Sequence, residues 1–319
     1  INTYAISKTL ALLVFLTASS ANGQDLTPPS VNEFTRHIYK IERSGRYTQT
    51  IEKLTRITNE YGVDNYGRHS FETTTSKEIL KIENAYSITP SGKKISLSRD
   101  WITKQHPKPD DDKTIDDTQK TLIAFPQVSV GSRLYSLARL KNFKPTAQGQ
   151  FGVTYSLSPR SIWENLEVIV TAPKDLKLFT SANGFEGGLI KDTGTHLTYR
   201  FTARQMIAYK EETESVDYFD HSPRLVLSTF SDYLSVGADY HRSSHPKAKA
   251  TPEITQQVLK LTSGLNDQRE KARVLYEWVS RNIRYISNTI DDGGIVPRSA
   301  GYIFRNRFGD CKDHVVLLE

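Results

Sequence analysis

The hydrophobic period of this chain changes once, and that change constrains its fold more than any other feature. Between about Asn32 and Tyr240, apolar residues recur at every second position in short runs; after Thr251 they recur at three and four. A period of two marks strands with one buried face, and a period near 3.6 marks amphipathic helices. The chain is therefore expected to fold as a β-rich unit followed by a helical one. At 319 residues it is long enough for both to have cores of their own.

Within the first part, Leu80, Ile82, Tyr86 and Ile88 alternate, with Asn84 as the polar exception. Thr89-Pro90-Ser91-Gly92-Lys93 then supplies turn chemistry, and Ile95 and Leu97 begin the return strand of a hairpin. Leu166, Val168 and Val170 alternate before Pro173, Leu197, Tyr199 and Phe201 follow the Gly-rich segment 183–188, and 225–230 is another β-rich run. Many short strands between Gly, Pro, Asp and Asn predict an antiparallel, sandwich-like β domain over residues 27–240. Asp110-Asp111-Asp112 and Asp116-Asp117 lack the spacing, Gly turn and terminal Glu of a calcium loop and read as solvated.

Residues 241–250 read as a linker. His241 and His245 would share a helical face, but the Glu of a zinc-protease helix is absent and Pro246 disfavours helix at His245. No metal or cofactor is expected. Thr251-Pro252-Glu253 starts a helix whose stripe is Ile254, Val258, Leu261 and Leu265. Asp267 with Glu270 starts a second, with Val274, Leu275, Trp278, Val279 and Ile283 on its apolar face. A short extended segment at 284–286, a loop at 291–294, a short helix at 300–306 and a helix beginning at Cys311 complete the pattern.

Two counts remove whole classes of function. Lys+Arg number 42 and Asp+Glu 36, but the basic residues form no stripe or block, which argues against a nucleic-acid partner. A single cysteine excludes an intramolecular disulfide, a CxxC redox pair and a thiolate metal cage. Lys8, the apolar run 10–16 and the small-residue segment 17–23 have the order of a secretory signal, predicting export to the periplasm or cell envelope with residues 1–23 removed. The run is too short to span a bilayer, so no integral membrane segment is expected after cleavage. Ile1 at the start and the apolar run before Glu319 at the end read as a fragment of a longer protein.

Cys311 follows Gly309-Asp310 and opens a helix, with Asp310 as its cap, where free N–H groups and the helix dipole favour a thiolate and could hold an oxyanion. Cys311, Val315 and Leu318 are spaced as one stripe, predicted to be buried. Asp310 and Asp313 act against the thiolate, so a positively charged base is expected beside it.

Residues 276–279 (Tyr-Glu-Trp-Val), 282–285 (Asn-Ile-Arg-Tyr), Pro297 and 307–313 (Arg-Phe-Gly-Asp-Cys-Lys-Asp), followed by 316–318, resemble the first half of a bacterial transglutaminase-like core. The preceding region is similar to the domain of unknown function found before such cores in exported bacterial proteins, on the hairpin at 85–92, Phe125-Pro126 leading to Val130-Gly131, and 230–233. Tyr233 stands where Trp is more usual.

The resemblance implies a truncated α+β papain-like core at 251–319, with Cys311 as nucleophile and with a His and an Asp on later strands. His314 is then a helix-surface residue and Trp278 a core residue, leaving the second oxyanion donor unassigned. It also implies an exported cysteine peptidase, amidase or acyltransferase acting on protein or peptide amides through a thioester, silent and poorly stable as the fragment alone. The alternative is a non-catalytic envelope binding or scaffold protein with a degenerate core. Neither the substrate nor an oligomeric state is written in the sequence.

Overall fold

The computed structural model describes residues 27–106, 114–208, 214, 216–288 and 290–319. The expected signal segment and Asp110 to Asp112 lie outside them. Two long strands, β1 (Ser30–Ile41) and β2 (Tyr47–Ile57), lead through α1 (Glu60–Tyr66) to β3 (Arg68–Thr74), β4 (Glu78–Ile88), β5 (Lys94–Ser96) and β6 (Ile102–Gln105). Next come β7 (Thr114–Ile115), β8 (Thr118–Ala124), β9 (Arg133–Asn142), β10 (Gly152–Ser156) and β11 (Ile162–Pro173). The strand-rich part closes with β12 (Phe179–Asn183), β13 (Glu186–Asp192), β14 (His196–Gln205), α2 (Tyr218–His221) and β15 (Arg224–Ser228).

The protein is mainly β, built on one eight-stranded sheet of order β13-β14-β11-β1-β2-β9-β4-β5. The antiparallel expectation needs correcting, because β1 and β11 pair in parallel, from Val31 with Ile162 to Lys40 with Thr171. The strands from β2 onward leave β1 on one side, and the chain returns to the free edge of β1 only after 120 residues of intervening structure, too far for local alternation to report.

The sheet has one apolar face and one charged face. Two three-stranded sheets cover the apolar face: β10-β15-β12 over one cluster and β3-β8-β6 over another. Leu157, Val168, Val170, Leu225 and Leu227 are fully enclosed in the first, and Ile57, Ile123 and Leu134 in the second. Each such side chain contributes about 1.5–3 kcal/mol through its burial. On the other face, Arg36 and Arg200 both pair with Glu167, and Arg56 and Arg133 with Glu33.

A polar seam runs between the two cores. The Gln49 amide donates to His37 Nδ1 (2.9 Å) and to Tyr39 Oη (2.7 Å), which is 2.6 Å from Tyr155 Oη. His69 sits 2.7 Å from Ser136 Oγ and 3.2 Å from Thr55 Oγ1. Burial, and then the nearby charge of Lys53, push both imidazoles down from the ordinary 6.5 to about 3.

The hairpin at 78–96 forms as expected, with Gly92 at φ +87° in its turn. Its facing differs from strict alternation, because β4 shifts register between Ile82 and Asn84. Leu80 and Ile82 point inward before the bulge, Ala85 and Ser87 after it. Tyr86 therefore lies on the outer face, stacked on Tyr135 at 4.5 Å with the Lys94 ammonium 3.7 Å above its ring.

Strand pattern also stops earlier than Tyr240. Residues 233–244 form α3 (Tyr233–Ser244), opened by a capping box between Asp232 and Ser235, and His245–Ala248 continue as a 3-10 turn. Pro246 is tolerated because it stands in the first turn, where its missing N–H costs nothing. His241 and His245 stack at 4.7 Å.

The remaining elements are α4 (Pro252–Thr262), α5 (Gln268–Asn282), β16 (Arg284–Tyr285), β17 (Ser287–Asn288), α6 (Ala300–Asn306), β18 (Phe308–Gly309) and α7 (Cys311–Leu318). Ile254, Val279, Ile283, Ala300, Ile303 and Val316 form their shared core. Strand β17 pairs with β7, and Asp292 accepts Lys77 (3.2 Å) and Lys144 (3.3 Å), tying these elements to the β-rich part. No helix among the described residues is long and apolar enough to cross a membrane.

Candidate active site around Cys311

Cys311 is placed by the turn that precedes it. Strands β16 and β18 pair in parallel, with Arg284 N–H donating to the Arg307 carbonyl (2.8 Å) and Ile286 N–H to the Gly309 carbonyl (3.0 Å). Helix α6 ends at Arg307 in the left-handed conformation, φ +60°, with its guanidinium 4.8 Å above the Trp278 ring and 4.4 Å above Phe304. Those contacts compensate a backbone geometry that glycine would adopt more readily. Gly309 is required by space rather than by angle: a Cβ there would stand 2.6 Å from Asp313 Cβ.

Asp310 and Asp313 cap α7 reciprocally. Asp310 Oδ1 accepts from Asp313 N–H (3.3 Å), and Asp313 Oδ2 accepts from Asp310 N–H (3.2 Å). Asp313 is only 1% exposed and also accepts from Arg298 through its backbone N–H (2.8 Å) and Nε (3.0 Å), with the other guanidinium branch 3.0 Å away. Lys312 Nζ pairs with Asp310. The two carboxylates that the sequence presented as opposing a thiolate are thus each matched by a cation.

The predicted buried stripe of Cys311, Val315 and Leu318 is instead the open side of α7. Cys311 is exposed, Val315 is 63% exposed, and Asp313 and Val316 face inward. The contacts of Asp313 with the Arg298 backbone N–H and guanidinium, which the capping box of α3 lacks, hold that side chain on the protein side of α7 and so turn Cys311 outward.

His314 is engaged with the backbone. Its Nδ1 lies 2.7 Å from the Asp310 carbonyl, its Nε2 3.2 Å from the Ile283 carbonyl, and its ring stacks with Tyr285 at 6.2 Å. Both nitrogens are turned toward backbone acceptors, so the imidazole fastens α7 to the end of α5. Trp278 stacks on Phe304 at 5.5 Å and packs against the helical core.

Chemically, the arrangement presents one exposed thiol at a helix start where the Asp313 N–H is taken by the Asp310 cap and the Cys311 and Lys312 N–H groups have no hydrogen-bond partner among the described residues, leaving these two for a developing anion. Arg298 was not singled out from the sequence, and Gly309 and Lys312 were read only as members of the turn and motif around Cys311. The spacing of Asp310 and Asp313 was a readable signal for the capping box, whereas nothing in the sequence linked Arg298 to Asp313 across fifteen positions.

A family model for a domain of unknown function with solved structure, DUF3857, matches residues 43–210. Among solved structures, one of a candidate protease from Parabacteroides distasonis superposes with TM-score 0.76 at 14% identity, covering 91% of this chain and 57% of that one. This chain therefore shares a fold with that protein while spanning little more than half its length. An M1 zinc metallopeptidase from Deinococcus radiodurans, 11% identical over 62% of this chain and 42% of its own, aligns with TM-score 0.32 and carries no argument. No curated protein matches.

Proposed function

This chain belongs to the DUF3857 family, and from that premise we propose that it is the N-terminal portion of an exported, transglutaminase-like cysteine peptidase or acyltransferase with Cys311 as nucleophile. In this reading residues 27–240 are the family's β domain, residues 251–319 begin an α+β papain-like core, and residues 1–23 are a signal removed on export. The observation that carries it is the geometry at α7: an exposed thiol at the first helical position, with both flanking carboxylates matched by Arg298 and Lys312. The candidate-protease name of the Parabacteroides distasonis protein supports the peptidase direction.

The thiolate attacks a peptide or protein carbonyl carbon, and the oxyanion is held at the α7 N-terminus. The amine then leaves with a proton from the base and a thioester remains. Water or a second amine attacks the thioester, and the sulfur departs as thiolate. In this reading the base is the His that the transglutaminase-like resemblance implies on a later strand, while His314 is turned toward two carbonyls.

Alkylation of the complete protein with iodoacetamide across pH tests the reading, together with hydrolysis of labelled casein and incorporation of a labelled amine. Cys311 should alkylate faster than a free thiol near neutral pH, and Cys311→Ala should abolish whichever turnover is seen. An ordinary thiol profile, with a pKa near ~8.5, and no turnover of either substrate would replace the enzyme with the non-catalytic scaffold, and undiminished turnover in Cys311→Ala would take the nucleophile's role away from this cysteine.

A further inference from the structure

The polar seam between the two cores contains a cation without a counterion. Lys53 of β2 lies on the inner face of the large sheet opposite Thr35 of β1, and its ammonium stands 4.8 Å above the Phe71 ring. It has no carboxylate partner and donates no hydrogen bond among the described residues. Burial holds the amine below its ordinary value, and its charge in turn acts on His37 and His69, with no carboxylate acting on any of the three. A desolvated charge left in this way is costly unless something pairs with it.

The seam is flanked by the two sheets that cover the cores, and their edge strands β10 and β3 stand on either side of it. Tyr155 of β10 reaches over β1, to Tyr39 Oη at 2.6 Å and to the His37 ring at 4.8 Å between centroids. From the other side, His69 and Phe71 of β3 reach Thr55 and Lys53 of β2. Between these walls His37 and Lys53 are only half-buried, whereas Tyr39, Gln49 and Ile51 beside them are buried.

His37 presents a second donor. Its Nδ1 accepts from the Gln49 amide at 2.9 Å, which leaves the ring proton on Nε2. Nε2 has no partner among the described residues, and neither it nor Lys53 Nζ is enclosed by protein, so both donors meet solvent in the seam. Thr35 is the cross-strand partner of Lys53 and His37 follows two positions along β1. The two donors therefore belong to diagonal neighbours, about 7–8 Å apart at Cα.

We propose that the seam is a binding site for a carboxylate on an apolar stem, with one oxygen on the Lys53 ammonium and the other on the His37 N–H. Both bonds are then charge-assisted, and the ligand supplies the counterion that the protein lacks. One cation beside a neutral imidazole matches a monoanion rather than a phosphate dianion. The rings of Phe71 and Tyr155 give the stem apolar surface. The same group reaches the seam either as the terminal carboxylate of a peptide or as a free organic acid.

Calorimetric titration of the complete protein with 3-phenylpropionate, Nα-acetyl-phenylalanine, the neutral isostere 3-phenylpropanamide and inorganic phosphate tests this. At least one carboxylate should bind with Kd below about 1 mM, and the amide about tenfold or more weaker. Preference for acetyl-phenylalanine identifies a peptide terminus, and the reverse preference a free acid. Lys53→Met, which keeps an apolar stem over Phe71 and removes the charge, should weaken the carboxylate about tenfold or more without changing amide binding. A second readout needs no variant. Acetylation of Lys53 by acetic anhydride, followed by mass spectrometry, should slow about tenfold at a carboxylate concentration about ten times Kd, while exposed Lys81 labels at an unchanged rate. The assignment is overturned if no carboxylate binds, if the amide or phosphate binds as tightly, if folded Lys53→Met retains wild-type affinity, or if bound carboxylate leaves Lys53 labelling unchanged. None of these readouts depends on Cys311, so the seam and the enzyme reading stand or fall separately.

Discussion

Substituting Arg298 by methionine isolates the charge that holds the nucleophile turn together. Methionine keeps an apolar stem against Phe308 and Tyr302, whose rings the guanidinium overlies at 4.9 and 5.6 Å, so packing changes little. What disappears is the two-branched contact to Asp313, leaving a carboxylate that is 1% exposed with only two backbone donors, Arg298 N–H and Asp310 N–H. Removing one partner of a buried ion pair costs about 3–5 kcal/mol, and the two surviving N–H bonds place this case near the lower end, about 3 kcal/mol. The loss should be local, because the pair joins the loop before α6 to the first turn of α7 and touches neither β core. Hydrogen exchange of the α7 amides is therefore the assay, and about 3 kcal/mol corresponds to exchange roughly 150-fold faster. Adding Asp313→Asn to the methionine variant removes the stranded charge and should restore part of the protection. Exchange within about fivefold of wild type in Arg298→Met, or strictly additive losses in the double variant, would refute the buried-charge account.

Three further outcomes follow from the same structure. His37 and His69 are neutral in the fold down to about pH 3 but titrate near 6.5 when unfolded, so the unfolded state binds more protons between those values. Stability of the β-rich part should be full above pH 6.5 and fall as pH drops toward 3, by up to about 2.7 kcal/mol per pH unit for the pair; urea midpoints that stay flat from pH 7 to 4 would contradict this. Gly309→Ala should loosen the Asp310–Asp313 cap, since its Cβ would fall 2.6 Å from Asp313 Cβ, and α7 exchange together with Cys311 alkylation should both change. His314→Phe should retain the stack on Tyr285 but lose the carbonyl contacts, costing about 1 kcal/mol in α7 protection without abolishing turnover in the complete protein; abolished turnover would make His314 part of the chemistry.

The strands were legible wherever burial alone decided the pattern. Leu166, Val168 and Val170 alternate because one face of β11 meets the core, and the sequence shows it. The misreadings came from features with no period. The bulge after Ile82 turns Tyr86 and Ile88 outward, and nothing in a list of apolar residues marks a bulge inside a strand. The parallel pairing of β1 with β11 is a long-range closure, and α3 shows too little alternation of either kind to separate it from the strands before it. The polar seam hid for a related reason. Histidines in a strand look like surface residues until a partner such as Gln49 or Ser136 arrives from elsewhere to satisfy them.

At the candidate site, helix start and cap were readable, and the burial of the helix was not, because two physical demands compete there. Apolar spacing nominates Cys311, Val315 and Leu318 as the inward stripe, on the assumption that greasy residues decide a helix's rotation. Yet Asp313 meets, besides the Asp310 N–H, the backbone N–H and guanidinium of Arg298 on the protein side of the turn. Once Arg298 neutralises it, burying Asp313 secures several charge-assisted bonds rather than a bare penalty. The rotation that satisfies Asp313 carries Cys311 outward. An inward cysteine would be small core filling, whereas this one meets solvent with the uncapped N–H groups of Cys311 and Lys312 beside it. The same pair of aspartates that weighed against a reactive thiol in the sequence is thus what delivers the thiol to the surface, and the cations that answer them remove the electrostatic objection.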